Sequence, residues 1–204
     1  MTDGDAIVLV IDDDRSVRDA LQRLLESVGR QVRCFESCAD FLAWERPDIP
    51  GCLVLDVRMP GQDGLDFQRQ LVEDGTQLPI VFVSGHGDIP MSVRAMKAGA
   101  IEFLTKPFRE QDLLSAVDEG LRANREQRRL AGERAVLQAR LDALTAGEHD
   151  VLRKVIKGLL NKQIAADLGI SEITVKVRRG RLMRKMQAGS LADLVQMAVA
   201  LGLV

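Results

Sequence analysis

Short, continuous apolar runs alternate with apolar residues at helical spacing through the first half of the chain. Ala6-Ile-Val-Leu-Val-Ile11 is unbroken and rich in β-branched residues, the composition of a strand covered on both faces. It ends in Asp12-Asp13-Asp14. Val17, Leu21, Leu24, Leu25 and Val28 then share one helical face, with Gly29 as the stop. Gln31 to Phe35 reads as a weaker edge strand, and Ser37 as the cap of a short helix through Phe41 and Trp44 that halts before Pro47. Cys52 to Leu55 is a third strand, entering Asp56 and then the turn formers Pro60 and Gly61. A helix over Gly64 to Glu73, a strand from Pro79 to Val83, a helix from Ile89 to Lys97, a strand from Ala100 to Leu104 and a helix from Asp112 onward complete the alternation. Parallel strands need helical crossovers, so the pattern predicts an α/β fold with a doubly wound five-stranded parallel sheet.

The second half changes period. Gln111 to Arg140 lacks proline and is dominated by Leu, Ala, Glu, Arg and Gln, which predicts one long helix or two collinear ones. Leu130, Leu137 and Leu144 recur every seven residues, too few for a coiled coil to be preferred over a solvated spacer. Gly132 is a candidate hinge. Thr145-x-x-Glu148 is a capping box that opens a helix carrying Val151, Leu152, Val155 and Ile156. Asn161 is read as the cap of a helix over Lys162 to Leu168, Ser171 as the cap of a third helix to about Gln187, and Ser190 as the start of a fourth. The two helices joined through Leu168-Gly-Ile-Ser171 form a helix-turn-helix. The predicted organisation is an α/β domain over 1–122, a helical linker over 123–142 and an all-α four-helix domain over 143–204.

Charge separates the two jobs. The 204-residue chain has a net charge of −2. Residues 1–122 hold 22 acidic and 13 basic side chains, whereas residues 123–204 hold 8 acidic and 15 basic. Only the second half suits a polyanion. No apolar run is long enough to span a membrane, and the acidic start Met1-Thr-Asp-Gly-Asp5 lacks the basic region of a signal peptide, so a soluble cytoplasmic protein is expected. Cys34, Cys38 and Cys52 show no metal-ligand spacing and read as reduced thiols.

In such a sheet the chemistry gathers at the carboxyl ends of the strands. Asp12 and Asp13 follow the first strand, Asp56 the third, Ser84 the fourth and Lys106 the fifth. Alone, Asp56 before a Pro-Gly turn is equally a turn or cap aspartate. Converged carboxylates repel one another, and a hard cation such as Mg²⁺ relieves that repulsion. With a lysine ammonium and a serine hydroxyl added, the set describes an aspartate that accepts a phosphoryl group.

Asp12-Asp13, Asp56-Val-Arg-Met-Pro-Gly61, the run Ser84-Gly-His-Gly-Asp-Ile-Pro-Met-Ser-Val-Arg-Ala-Met-Lys-Ala-Gly-Ala100 and Lys106-Pro107 resemble a two-component receiver domain, flavodoxin-like in fold, of the FixJ branch. The resemblance implies Asp56 as phosphoacceptor. It implies Asp13, Asp56 and the Arg58 carbonyl as direct Mg²⁺ ligands, with Asp12 acting through water. Lys106 would pair with the phosphoryl group, Ser84 would move to hydrogen-bond it, and Phe103 would be the switching aromatic, lacking the hydroxyl that Tyr carries in many receivers. Lys106-Pro107 is expected to be cis. His86 either shapes water access to the site or is a solvated loop histidine.

Lys176, Arg178, Arg179, Arg181, Arg184 and Lys185 lie on the third helix of the C-terminal domain against one acid, Glu172. Its pattern, from Leu144-Thr to Thr174-Val-Lys176, resembles the LuxR-type DNA-binding domain. That match implies that Lys176, Val177 and Gly180 face the major groove, and that Asn161, Lys162, Arg181 and Lys185 meet backbone phosphates. Thr174, Arg178 and Arg184 complete the set, Arg178 standing where many relatives carry His. The whole is identified as a member of the NarL/FixJ response regulators. Its implied partners are a sensor histidine kinase, double-stranded promoter DNA and RNA polymerase, and on phosphorylation the face over residues 90–116 either dimerises with a second copy or releases the C-terminal domain. Two rivals stand beside it. One is an aspartyl-phosphate hydrolase, which needs an acid–base residue where the chain has Arg58. The other is a DNA binder with a vestigial receiver that ignores phosphorylation.

Overall fold

The computed structural model describes residues 6–85 and 89–204; His86 lies outside them. The chain divides into two compact units, Met1–Arg128 and Arg129–Val204. In the first, β1 (Ile7–Ile11), α1 (Arg15–Ser27), β2 (Gln31–Phe35), α2 (Cys38–Ala43) and β3 (Gly51–Asp56) follow the expected alternation. A short antiparallel pair, β4 (Arg58–Met59) and β5 (Gln62–Asp63), comes next, then α3 (Gly64–Glu73), β6 (Ile80–Ser84), α4 (Ile89–Lys97), β7 (Glu102–Thr105) and α5 (Glu110–Asp142). The five long strands are all parallel, in the order β2-β1-β3-β6-β7.

Period-two alternation builds two core layers on this sheet. Leu9, Ile11, Leu53, Leu55 and Phe82 pack on one face with Phe41, Phe67 and Met91. Val8, Val10, Val54, Val81 and Val83 pack on the other with Leu25, Leu113, Val117 and Leu121. That double cover is why the central strands are apolar without interruption. Each fully buried side chain of this kind contributes about 1.5–3 kcal/mol.

The β4–β5 pair was not foreseen, because Pro60 and Gly61 in sequence signal only a turn; Gly61 takes a φ of +86° within it. β6 runs one residue later than expected, through Ser84, and β7 starts two residues later, at Glu102. α5 runs through Gly132 without a break, the single helix of the two readings offered. One glycine costs a helix about 1 kcal/mol relative to Ala, and the flanking residues are strong helix formers with an Arg129–Glu133 pair across the site. Past residue 122, α5 still grips the sheet. Buried Asn124 accepts from Gly51 N at 3.0 Å and donates to Gln77 O at 2.8 Å. Arg128 donates to Asp48 O at 2.8 Å.

In the second unit, α6 (Ala146–Val155), α7 (Asn161–Leu168), α8 (Glu172–Met186) and α9 (Leu191–Ala200) surround Val151, Leu152, Ile164, Val175, Leu182, Met186 and Leu194. Ser171 and Ser190 cap as expected, accepting from Thr174 N and Asp193 N. Asn161 does not cap. The α7 N-cap is Leu160, whose N–H donates to Gln163 Oε1 at 2.8 Å, and Asn161 is the first helical residue. The Thr145–Glu148 box is present with both bonds. Buried Glu148 also accepts from Lys185 Nζ at 2.6 Å. That bond, with the Thr145 N–H, pulls its carboxyl from 4.5 down to about 2.

Two outcomes follow. Phe67→Ala leaves a cavity between α3 and the sheet and should cost about 3–5 kcal/mol, measured by urea unfolding with the single tryptophan, Trp44 of the same core layer, as reporter. Because the Glu148 pKa is depressed on folding, its contribution is complete above the ordinary value near 4.5 and is lost as pH falls towards about 2. Glu148→Gln should therefore weaken the second unit at neutral pH by about 1–3 kcal/mol and flatten that acid limb, read by hydrogen exchange at the α6 amides.

Candidate functional site

Strand register brings the chemistry together. Ile11 pairs with Leu55, Asp56 with Val83, and Ser84 with Thr105. Asp12, Asp56, Ser84 and Lys106 therefore stand along one sheet edge. Asp12 and Asp56 are buried, 1% and 6% exposed, and the Lys106 ammonium bridges them at 2.7 Å and 3.0 Å. The backbone holds Lys106 in place through its own N–H, which donates to Ser84 O at 2.7 Å. The Lys106–Pro107 bond is cis.

Each carboxylate oxygen has a set partner. Asp12 Oδ2 takes Lys106, and Oδ1 accepts from Asp14 N at 2.9 Å. Asp56 Oδ1 takes Lys106, and Oδ2 accepts from Arg58 N at 2.9 Å. Burial raises the Asp56 carboxyl above the usual range, the Asp12 charge adds to this, and the Lys106 and Arg58 donors only partly offset it. Burial works against the Lys106 ammonium, but its bonds to Asp12 and Asp56 prevail and hold its pKa above the ordinary lysine value. Ser84 is buried at the same edge, and Phe103 of β7 is half-buried with its ring centroid 6.1 Å from that of Phe82.

Three contributors were not singled out from sequence. Arg18 donates to the carbonyls of both Asp12 and Asp13, at 2.7 Å and 2.8 Å, and so fixes the turn that carries the acids. Its signal is an arginine one helical turn after a capping aspartate. Asp14 is that cap, accepting from Ser16 N and Val17 N. Gly64 starts α3 so close to the end of β3 that a β-carbon would stand 2.5 Å from Asp56 O. No larger residue fits there, which only the three-dimensional contact reveals.

Among the described residues no three carboxylates, imidazoles or thiolates form a ready-made metal cage. The donors nonetheless suit a hard divalent cation. Asp12 and Asp56 together outweigh one ammonium, exposed Asp13 adds a further carboxylate beside them, and Mg²⁺ needs only one or two carboxylates with waters.

In the second unit, the cations of α8 sort into two groups. Arg178 packs flat on α6, its guanidinium carbon 2.7 Å from where a Gly147 β-carbon would be. Arg179 donates to Asn161 Oδ1 at 3.0 Å, and Lys185 is held by Ala143 O and Glu148. Lys162, Lys176, Val177, Gly180, Arg181 and Arg184 are exposed. Thr174 is half-buried, its hydroxyl 2.8 Å from Ser171 Oγ. Among the described residues no helix is long and apolar enough to cross a membrane.

Comparison with known proteins agrees with both halves. The response regulator receiver domain family matches residues 8–118, and the luxR family of bacterial regulatory proteins matches residues 142–198. Nodulation protein W of Bradyrhizobium diazoefficiens is 49% identical over 198 residues, spanning 97% of this chain and 87% of that protein. The transcriptional regulatory protein FixJ of Azorhizobium caulinodans is 45% identical over 195 residues, spanning 96% and 92%. The solved structure of the response regulator StyR matches at a TM-score of 0.85 and 50% identity, covering 96% of this chain and 99% of that one. With a receiver and a LuxR-type helix-turn-helix in one polypeptide, the chain belongs to the NarL/FixJ family of two-component response regulators.

Proposed function

We propose that, in this phosphorylation-dependent transcriptional regulator, Asp56 takes the phosphoryl group and α8 carries the response to DNA. The observation that supports this most is the Lys106 ammonium shared between buried Asp12 and Asp56 at the carboxyl edge of the sheet. An Asp56 oxygen attacks phosphorus in line. A P–O bond forms as the bond from phosphorus to the donor breaks, and the donor's electron pair leaves with it: the imidazole of a sensor histidine kinase, or acetate from acetyl phosphate. Mg²⁺, held by Asp13, Asp56 and the Arg58 carbonyl with Asp12 behind, would supply charge that offsets the phosphoryl oxygens. Lys106 gives up one carboxylate contact and turns to a phosphoryl oxygen, Ser84 donates to another, and Phe103 repacks as Ser84 moves.

The readout is a dimer formed through the face over residues 90–116, which sets two copies of α8 on a two-fold-related operator. RNA polymerase is the next partner on the promoter. Lys162, Lys176, Arg181 and Arg184 remain available for phosphates, whereas Arg178 and Lys185 serve the fold of their own unit. Arg58 is an exposed cation and not an acid–base partner, so the phosphoryl group is kept as a signal and not turned over on small esters.

Acetyl phosphate with Mg²⁺ should tighten binding of the full chain to its promoter, with a steep fall of affinity as salt rises. Asp56→Asn should lose the response while keeping its fold. Equal promoter affinity with and without the donor would support the rival in which the receiver is silent.

A further inference from the structure

Helix α8 carries an apolar feature that neither the core nor the cations explain. Ile173 is 77% exposed and Val177 is 47% exposed, on a helix otherwise rich in Lys and Arg. At about 100° per residue, Ile173, Val177, Gly180 and Arg184 fall in one sector about 60° wide. The buried residues Val175, Leu182 and Met186 lie on the opposite side. The sector therefore points straight away from the core. Nothing stands within 4 Å of where a Gly180 β-carbon would be, so the helix surface is low there and a partner can come close. Exposed Lys176 and Arg181 flank the ridge on its two sides.

An isoleucine in the exposed first turn of a helix adds nothing to the core and is a poorer helix former than the polar alternatives. Its surroundings restrict what can cover it. A second copy of the same face would set Lys176, Arg181 and Arg184 against themselves, which like charges oppose. Duplex DNA offers both what the flanks and the ridge require: phosphates on either side of the major groove, and the thymine 5-methyl as the apolar feature of its floor.

We propose that Ile173 and Val177 read thymine 5-methyl groups in the major groove. The inference rests on the reading of α8 as the DNA-contacting helix and adds the chemistry by which it selects sequence. Ile173 and Val177 are four residues apart, about 6 Å along the axis, close to two base-pair steps. Together they reach two thymines of one half-site. Lys176 and Arg181 supply the phosphate contacts that hold the ridge in register. Arg178, folded onto Gly147, leaves the groove floor to the apolar pair.

The test begins with the full chain, treated with acetyl phosphate and Mg²⁺, selecting duplexes from a random-sequence pool. Each thymine of the selected half-site is then replaced singly by uracil, which removes only the methyl group. Affinity should fall about fourfold at each of two thymines, the effect of burying one methyl. Ile173→Ser should abolish discrimination between thymine and uracil at one of these positions, and Val177→Ala at the other. A chain that binds the selected duplex tightly yet accepts uracil everywhere overturns the inference and leaves DNA binding by α8 standing. Failure to enrich or bind any duplex overturns both. Loss of self-association in Ile173→Ser, with uracil tolerated, gives the ridge to a second copy and also overturns it.

Discussion

One half-buried lysine ammonium holds two buried carboxylates together, and the first unit is arranged to make that possible. Lys106 stands 2.7 Å from Asp12 and 3.0 Å from Asp56 at an edge where both acids are almost fully covered. Burying a charge is costly unless it is paired and hydrogen-bonded. Two carboxylates against one cation leave a net negative site, which burial and mutual repulsion push towards neutrality. A cation or the transfer of a group onto one carboxylate relieves that imbalance. The sheet supplies the geometry at no local cost, because parallel register alone sets the ends of β1, β3, β6 and β7 side by side.

Much of this was legible in the chain because it depends on pattern. Uninterrupted apolar runs marked β1, β3 and β6, and the polar residue at the end of each, Asp12, Asp56 or Ser84, marked the edge, while β2 and β7 came from weaker runs. What depended on three-dimensional contact and not on periodicity was harder to read. Gly64 looks like any helix-start glycine until α3 is seen to press on Asp56 O. Arg18 looks like a surface arginine until its guanidinium is seen to hold the carbonyls of Asp12 and Asp13. Asn124, in a stretch read as linker, ties α5 to the sheet by both ends of its amide.

The second unit shows the same division. Its caps and helix order followed from Thr145, Ser171, Gly169 and Ser190. The count of cations on α8 did not show which of them face outward. Arg178, Arg179 and Lys185 flank the buried side and are taken up by Gly147, Asn161 and Glu148. The Asn161 cap failed for a related reason, since Gln163 closes the end of α7 and leaves Asn161 to receive Arg179. Charge composition pointed to the partner class, and helical phase separates the cations left exposed from those the unit's own fold takes up.

The central claim is that the Lys106-bridged pair is where the chain receives its signal, and intact-mass analysis tests it most directly. The full chain is incubated with acetyl phosphate and Mg²⁺, and the modified residue is mapped after chemical trapping of acyl phosphates. The account predicts one phosphoryl group per chain, on Asp56, dependent on Mg²⁺, and sharply reduced by Lys106→Met in a protein that remains folded. Phosphorylation at another residue, or undiminished labelling of Asp56→Asn, would contradict it.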